Sequence, residues 1–258
     1  MLCTDVSDEA DEKLLRSDTV IDIHCHILPG IDDGASDIYD TLEMASIAHG
    51  SGVKGIVATP HCNVPWEEPN YYGSRYRDAL LKAREALKEE RIPIKLMSGM
   101  EVFVTYDLPD LIADGKVLTI NHSRYMLIEF YFDEDPEFVE IMIERITEMG
   151  IVPIVAHPER YMFMKENPDF VYRLKRRGCL LQANKGSFLG RYGERSERLA
   201  FEYAKNGLYT VVASDAHNPR SRSTYMIEAR REIEGKCDVK ALFETNPSLI
   251  CTDRPIEK

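Results

Sequence analysis

Apolar and polar stretches alternate along the chain in one repeating pattern. From Thr19 onward, a β-branched or apolar run is followed by a polar turn and then by a stretch with helical spacing. The pattern predicts strands at 19–26, 55–61, 94–103, 125–132, 150–158, 179–186 and 208–217. Helices are expected near 36–50, 74–91, 106–114, 136–149, 167–177, 191–206 and 218–235. We therefore expect consecutive βα units that form one α/β domain over residues 19–258.

Strands that alternate with helices are expected to be parallel, because a parallel pair needs a crossover and a helix supplies it. Near-continuous apolar runs such as GIVPIVA (150–156) fit a sheet that is covered on both faces. An open doubly wound sheet and a closed barrel both satisfy these patterns. The positions of the polar residues favour the barrel.

Every predicted strand except the sixth ends in a side chain that binds metals or transfers protons. In a βα barrel the carboxyl ends of all strands open onto one face, where the chemistry is located. In an open sheet, strands far from the switch point would not reach a common site. The residues expected to share one pocket are His24, His26, His61, Glu101, Glu129, His157, Asp215 and His217.

The first strand brings two imidazoles together. Side chains alternate along a strand, so His24 and His26 point the same way and Cys25 points the opposite way. The following turn, Pro29–Gly34, can return the carboxylate of Asp32 or Asp33 over the strand end. Mixed nitrogen and oxygen ligands suit a divalent cation, although an isolated His-x-His pair also arises by chance.

Two arginines follow the strand ends and are candidates for phosphate binding. Arg160 lies three residues after His157, and Arg222 lies five residues after His217. Guanidinium groups bind tetrahedral dianions bidentately. Surface ion pairs with nearby acids are the alternative. Arg220 is a weaker candidate, and we interpret His49 and His122 as a helix residue and a loop residue.

Charge and cysteine usage narrow the function classes. The net charge of −12 argues against binding to nucleic acid or to anionic lipid. Six cysteines without a CxxC pattern, together with no signal peptide and no long apolar run, predict a cytoplasmic protein with free thiols and no membrane insertion. Residues 1–18 are acidic and predict a flexible tail. Monomers and oligomers are both compatible with this surface.

Several motifs together are similar to the signature of the polymerase-and-histidinol-phosphatase (PHP) superfamily. They are HCHILPGIDDG (24–34), ATPHCN (58–63), GMEVF (99–103), LIEF (127–130), AHPER (156–160) and SDAHN (214–218). Within that superfamily the chain resembles the bacterial protein-tyrosine phosphatases that regulate capsule and exopolysaccharide synthesis. The resemblance extends from about Thr19 to about Pro247. It implies a distorted seven-stranded (β/α)7 TIM-like barrel.

The resemblance also implies three divalent metals, commonly Mn²⁺, with Fe, Zn, Co or Mg as alternatives. One metal would be held by His24, His26, Glu101 and Asp215, and a second by Glu101, Glu129 and His157. The third would be held by Asp33, His61 and His217, with Asp32 as the lower-ranked carboxylate. Arg160 and Arg222 occupy the family's phosphate-binding positions. Asn184 and Lys185 depart from the hydroxyl residues that are frequent in relatives.

The implied activity is hydrolysis of phosphotyrosine by a hydroxide that the metals generate from water. Asp33, His61 or His217 could assist the leaving group. The implied partner is the tyrosine-rich tail of a bacterial tyrosine kinase. A small-molecule phosphatase such as histidinol phosphatase is the alternative enzyme, and a catalytically silent module that binds phosphorylated tails is the alternative from another class.

The cysteine-dependent route to phosphotyrosine hydrolysis is excluded, because it needs a C-x5-R loop and no cysteine has an arginine six positions later. Cys25 and Cys62 are interpreted as packing residues. Aromatic residues after the strand ends could stack on phosphotyrosine or could simply pack in the core and rim. These residues are Trp66, Tyr71, Tyr72, Tyr131 and Tyr161.

Overall fold

A computed structural model describes residues 19–256. The predicted acidic tail, residues 1–18, lies outside the described residues. The strands are β1 (Val20–Cys25), β2 (Val53–Ala58), β3 (His61–Cys62), β4 (Lys95–Ser98), β5 (Glu101–Phe103), β6 (Tyr125–Glu129), β7 (Val152–Ala156), β8 (Leu180–Asn184) and β9 (Val211–Ala213). Every strand pair is parallel.

Helices connect the strands, as the alternating pattern predicts. They are α1 (Ile38–Gly50), α2 (Ser74–Glu89), α3 (Leu108–Ala113), α4 (Pro136–Glu148), α5 (Met162–Glu166), α6 (Phe170–Arg176), α7 (Lys185–Phe188), α8 (Glu194–Lys205), α9 (Ile227–Ile233) and α10 (Asn246–Cys251). A π-helical turn, Ala241–Thr245, precedes α10, and short 3-10 turns lie at Ile120–His122 and Pro158–Arg160. Among residues 19–256, no helix combines the length and apolar character needed to cross a membrane.

The strands form a curved, barrel-like wall made of two sheets. One sheet has the order β1-β2-β4, and the other has the order β3-β5-β6-β7-β8-β9. The last strand closes toward the first through a bridge between Cys25 and Ala216 and through a backbone hydrogen bond from His26 N to Ala216 O of 2.9 Å. The α/β class and the parallel strands are therefore confirmed, whereas the count of seven strands in one barrel sheet is not.

The strand count differs because two predicted strands are each divided. The predicted strand 55–61 becomes β2 and β3, separated at Thr59-Pro60, and the predicted strand 94–103 becomes β4 and β5, separated at Gly99-Met100. Proline has no N–H group for a strand ladder, so the pairing stops at Pro60. Each break moves the following strand into the second sheet, which places His61 opposite Glu101.

Side chains from both sheets fill the barrel interior. This inner core also includes Ile250 and Cys251 of α10, which cover the end of the barrel opposite the strand carboxyl ends. A second, larger core lies between the strands and the outer helices. The strand residues of the inner core are Ile21, Ile23, Val57, Met97, Tyr125, Leu127, Ile154, Ala156, Val211 and Ala213. Side chains thus fill the interior, and the end formed by the strand carboxyl ends is the place for a functional site.

Two helix predictions need correction near the carboxyl terminus. The helix predicted at 218–235 begins only at Ile227, because the Asn218 side chain accepts hydrogen bonds from the backbone N–H groups of Arg220 and Arg222 at 3.0 and 3.3 Å. This turn competes with a helix. The sequence patterns also predict no helix after residue 235, whereas the π-helical turn and α10 occupy 241–251.

Candidate metal centre

A register shift in β1 directs His24, within the strand, and His26, just after it, into the barrel. Between Asp22 and Cys25 the pairing of β1 with β2 is irregular, with three steps on β1 against two on β2. Across this bulge the inward-facing residues change from Ile21 and Ile23 to His24 and His26. Cys25 packs in the outer core, as the strand alternation predicts.

Four side chains form the first cluster at the carboxyl ends of the strands. The Oε2 atom of Glu101 lies 3.0 Å from Nε2 of His24 and 3.2 Å from Nε2 of His26. Asp215 Oδ1 lies 3.5 Å from each of these nitrogen atoms. All four side chains are buried, and Glu101 Oε2 has no hydrogen-bond partner among the described residues. An orphaned carboxylate oxygen among imidazole nitrogens fits the ligand shell of a divalent cation.

Glu101 joins this cluster to a second one. Its Oε1 atom lies 3.0 Å from Nε2 of His157. Glu129 Oε1 lies 2.8 Å from Nδ1 of His61, and Glu129 Oε2 lies 4.0 Å from Nε2 of His157. Glu101 Oε2 also lies 3.2 Å from Nδ1 of His61. Glu101 therefore contacts both clusters, as expected of a carboxylate that bridges two cations.

Asp33, His61 and His217 form the outermost cluster. Asp33 Oδ1 lies 3.7 Å from Nε2 of His61 and 3.3 Å from Nε2 of His217. The Asp33 side chain is 67% exposed, so this cluster lies at the mouth of the pocket. Asp32 instead points inward: its Oδ2 atom accepts a hydrogen bond from the backbone N–H of His61 and lies 2.7 Å from Nδ1 of His26.

Two candidate ligands have unusual backbone conformations. His157 has φ 36° and Asp215 has φ 49°, which is the left-handed region that non-glycine residues rarely adopt. Backbone hydrogen bonds hold both residues there: His157 N donates to Gln182 O at 2.8 Å, and Asp215 N donates to His24 O at 2.9 Å. Backbone strain of this kind concentrates at functional sites, and here it turns both side chains into the pocket.

Polar residues around the clusters fix the orientation of the candidate ligands. Gln182 Oε1 lies 2.8 Å from Nδ1 of His24, which directs Nε2 of that ring toward Glu101. The Asn184 amide donates to Asp215 Oδ2 at 2.5 Å. The buried Glu159 accepts hydrogen bonds from Asn184 N, Ser187 Oγ and Tyr209 Oη. The sequence reasoning missed Gln182 and Glu159, and the only signal was their position inside or beside strand-end motifs.

Both candidate phosphate-binding arginines contact Asp215. Arg160 donates from Nη1 to Asp215 Oδ2 at 3.2 Å, and Arg222 donates from Nη2 to Asp215 Oδ1 at 2.7 Å. The Arg160 guanidinium also lies between two rings, 4.7 Å from the centroid of Phe132 and 4.2 Å from that of Tyr192. Both guanidinium groups therefore lie beside the clusters of candidate metal ligands. Arg220 is exposed, and no described carboxylate forms an ion pair with it.

The electrostatics of the pocket combine ionised carboxylates with imidazoles. Burial by itself raises the pKa of Asp215, but His24 and other neighbours, including Arg222, hold it well below its usual range. Burial lowers the pKa of His61, yet Glu129 and Glu101 outweigh this effect and raise it to about 9. Burial and the neighbouring His26 lower the pKa of His217 to about 4. The inner carboxylates thus attract positive charge, and cations can take the place of protons on the imidazoles.

The remaining candidates divide into core and rim residues. Cys25 and Cys62 are buried, and burial raises the pKa of both thiols, so they serve as packing residues. Tyr161 is fully buried and its hydroxyl accepts a hydrogen bond from Phe130 N, so of the two alternatives left open by the sequence the core position applies to this residue. Tyr71 and Tyr72 pack against the outer core. Trp66 and Tyr131 are exposed, at 97% and 41%.

A parallel βα barrel with clustered imidazoles and carboxylates at the strand carboxyl ends is typical of hydrolytic enzymes that use several divalent cations. The chain belongs to the CpsB/CapC family of capsular polysaccharide synthesis proteins, whose sequence profile matches residues 20–252. This finding confirms the family expected from the motifs.

Individual relatives agree with the family. The chain is 36% identical to the tyrosine-protein phosphatase YwqE of Bacillus subtilis over 217 residues, which is 83% of this chain and 84% of the relative. It is 32% identical to the tyrosine-protein phosphatase CpsB of Streptococcus pneumoniae, over 92% of this chain and 100% of the relative. A crystal structure from work on these two proteins, described as unique metal-dependent tyrosine phosphatases, superposes with a TM-score of 0.85 and 33% identity. It covers 92% of this chain and 96% of its own.

Proposed function

We propose that the protein is a metal-dependent phosphatase that hydrolyses phosphotyrosine in proteins. The family and the tyrosine-phosphatase activity for which its relatives are named support this class of reaction. The observation that carries the proposal is the contact of Arg160 and Arg222 with Asp215. Two guanidinium groups beside a cluster of metal ligands form a site for a tetrahedral dianion.

The pocket fits divalent cations in number and type of donor atoms. We propose three cations, with Mn²⁺ as the native metal, held as the sequence motifs imply. His24, His26, Glu101 and Asp215 would hold the first, Glu101, Glu129 and His157 the second, and Asp33, His61 and His217 the third. Support comes from three groups of ligand atoms that each lie within 4.8 Å of one another, namely His24, His26, Glu101 and Asp215; His61, Glu101 and Glu129; and His26, Asp33, His61 and His217. His157 lies outside these groups, but its Nε2 atom is 3.0 Å from Oε1 of Glu101. Buried atoms of Glu101, His61 and His217 also have no hydrogen-bond partner among the described residues. The cations would polarise the phosphoryl oxygens and increase the acidity of water.

The residues of the chain then have separate tasks. Arg160 and Arg222 bind the phosphoryl oxygens and stabilise the charge that develops on them in the transition state. The rings of Phe132 and Tyr192 keep the Arg160 guanidinium in place. Asp33, His61 and His217 lie at the mouth of the pocket. Of the three, His61 is the one that carries a proton near neutral pH, because its pKa is raised to about 9, whereas Asp33 is ionised and the pKa of His217 is lowered to about 4. His61 is therefore the candidate proton donor to the departing phenolate oxygen when the third cation is not bound to it. Because a phenolate is a good leaving group, this last contribution is expected to be small.

The proposed substrate is the tyrosine-rich tail of a bacterial tyrosine kinase in the cytoplasm. The capsule-synthesis family and the exposed aromatic rim support a protein substrate of this kind. A disordered tail can present a phosphotyrosine to an open barrel mouth.

The deciding experiment measures phosphate release from a phosphotyrosine peptide with Mn²⁺ and then with chelator. Wild type is compared with His157→Ala and Arg222→Ala, and Arg220→Ala serves as the matched control on the same loop. We expect turnover that requires metal, falls by orders of magnitude in the first two variants and is unchanged in the control. Rapid turnover of histidinol phosphate without turnover of the peptide would overturn the proposal that the substrate is a phosphotyrosine protein. Metal binding without turnover of any phosphomonoester would indicate a silent binding module.

A further inference from the structure

A second cavity lies outside the metal centre, along the outer wall of the barrel. It has a volume of 880 Å³ and runs between α2 and β4. We call it the α2 groove. Its floor is apolar and includes Leu80, Leu87, Ile94 and Leu96. Nothing in the metal centre uses these residues.

The α2 groove is basic, although the protein is strongly acidic. Its lining includes Arg77, Arg84, Lys88 and Lys95 and contains no aspartate or glutamate. Among residues 19–256, no carboxylate forms an ion pair with Arg77, Arg84 or Lys88. In a chain with net charge −12 this is a local concentration of positive charge, which favours the binding of anionic groups.

The basic residues share one side of α2. Positions 77, 84 and 88 are separated by seven and four residues, so they lie on the same helix face. The acidic residues of the helix, such as Asp78 and Glu85, do not line the groove. Arg84 is additionally fixed, because its Nε donates to Leu96 O at 2.9 Å.

One end of the groove, at the first turn of α2, lies toward the carboxyl ends of the strands. The Tyr76 hydroxyl donates to Gly99 O at 2.9 Å, at the carboxyl end of β4, and Glu101 follows two residues later. The other end reaches Lys95, which pairs with Gly55 near the amino ends of the strands. The 16 residues of α2 span about 24 Å at 1.5 Å per residue. That length accommodates roughly seven residues of extended peptide.

From this geometry we propose that the α2 groove binds acidic residues that flank the phosphotyrosine in a protein substrate. The inference rests on the proposed phosphatase function. The metal centre and the arginines bind the phosphate, and the flanking acidic segment continues along α2, with carboxylates on the basic residues and aliphatic portions on the apolar floor. The groove then lowers the KM for acidic substrates, because it binds the substrate peptide at a second point in addition to the phosphate.

The test uses two matched phosphotyrosine peptides, one flanked by glutamates and one flanked by glutamines at the same positions. The protein variant is Arg77→Glu/Lys88→Glu, and Arg84 is kept because of its contact with Leu96. Lys82→Glu, exposed on another face of α2 and outside the groove lining, is the control. For wild type we expect a KM about 10-fold lower for the glutamate peptide, which corresponds to about 1.4 kcal/mol. The difference should disappear in the double variant, remain in the control and shrink in high salt.

A second measurement separates this inference from the proposed function. Fluorescence anisotropy follows binding of the labelled glutamate peptide without phosphate, which requires no catalysis. Binding that is lost in the double variant but kept in Lys82→Glu supports the groove, even if no phosphatase activity is found. Equal KM values for both peptides, with normal turnover, overturn the inference and leave the proposed function intact. A wild-type dimer that the double variant converts to a monomer would also overturn it, because the groove would then be a subunit interface.

Discussion

The Asp32 carboxylate lies 2.7 Å from Nδ1 of His26, and this contact directs Nε2 of the ring toward Glu101. Asp32 also accepts hydrogen bonds from the backbone N–H groups of His61 and Gly34. Its neighbour Asp33 faces the opposite way, toward His217 at the pocket mouth. The two adjacent carboxylates therefore have different surroundings: Asp32 contacts a ring that we propose as a metal ligand, and Asp33 has a free position beside the outermost candidate ligands.

Asp32→Asn is expected to weaken Mn²⁺ binding by roughly 10- to 100-fold, as removal of a ligand-orienting partner does in other metal sites. The amide keeps the size of the side chain but removes the charge that holds the His26 ring. Isothermal titration calorimetry of chelator-treated protein measures the change. Asp78→Asn, an exposed carboxylate of α2, is the control and should bind Mn²⁺ like wild type. Unchanged affinity in Asp32→Asn would refute the orienting role.

Glu101 and Asp33 should differ in how many metals depend on them. Glu101 directs one oxygen to the His24 and His26 cluster and the other to His157, whereas Asp33 contacts only the outer cluster. We expect wild type to hold about three Mn²⁺ ions, Asp33→Asn to lose about one and Glu101→Gln to lose about two. Elemental analysis after dialysis gives the stoichiometry. Equal losses in the two variants would contradict a bridging Glu101.

The part of the site that the sequence could predict depends on local geometry. His24 and His26 follow from strand alternation, and Arg160 and Arg222 follow from their distance to strand-end histidines. The β1 bulge was not predictable, because it depends on pairing with β2. Gln182 and Glu159 were also missed, since their partners come from strands far apart in sequence. For Tyr161, the position after β7 left both a core and a rim location open, and packing against distant elements buries the ring.

The fold shows the same division between local and long-range information. The alternation of apolar runs and helical stretches was sufficient to predict parallel βα units, since each unit is local. The division of two predicted strands at Thr59-Pro60 and Gly99-Met100, which creates two sheets, depends on how neighbouring strands bend around the pocket. The short α10 helix was missed because Pro247 interrupts its apolar run, although proline is well tolerated in a first turn.

The contacts of Phe132 and Tyr192 with the Arg160 guanidinium predict that removal of either ring weakens phosphate binding. Removing one ring, as in Tyr192→Ala, should raise the KM for a phosphotyrosine peptide by about 2- to 30-fold, because a cation–π contact contributes roughly 0.5–2 kcal/mol. Tyr192→Phe keeps the ring and should restore the KM. Steady-state kinetics on the three proteins provide the measurement. Equal defects in Tyr192→Ala and Tyr192→Phe would instead implicate the hydroxyl, which lies 3.4 Å from the Asn184 amide.

The burial of Lys185 leads us to expect that the free energy of unfolding rises with pH. Its side chain is buried, and Nζ donates to Tyr225 O at 2.8 Å. Burial lowers its pKa from 10.5 to about 8, despite the opposing effect of Asp22. Between these two pH values the unfolded chain holds a proton that the folded chain lacks. Raising the pH through this range therefore makes unfolding less favourable, by up to about 3 kcal/mol for this residue alone.

Lys185→Met isolates this contribution, because methionine fills the same buried space without a titrating group. We expect the free energy of unfolding of wild type, relative to Lys185→Met, to rise from pH 8 to pH 10.5 and to be constant below pH 7. Urea unfolding at a series of pH values measures the difference. Lys82→Met removes an exposed lysine of α2 and should keep the pH dependence of wild type. Parallel pH profiles of wild type and Lys185→Met would mean that Lys185 has the same pKa in the folded and the unfolded chain, and would contradict the prediction.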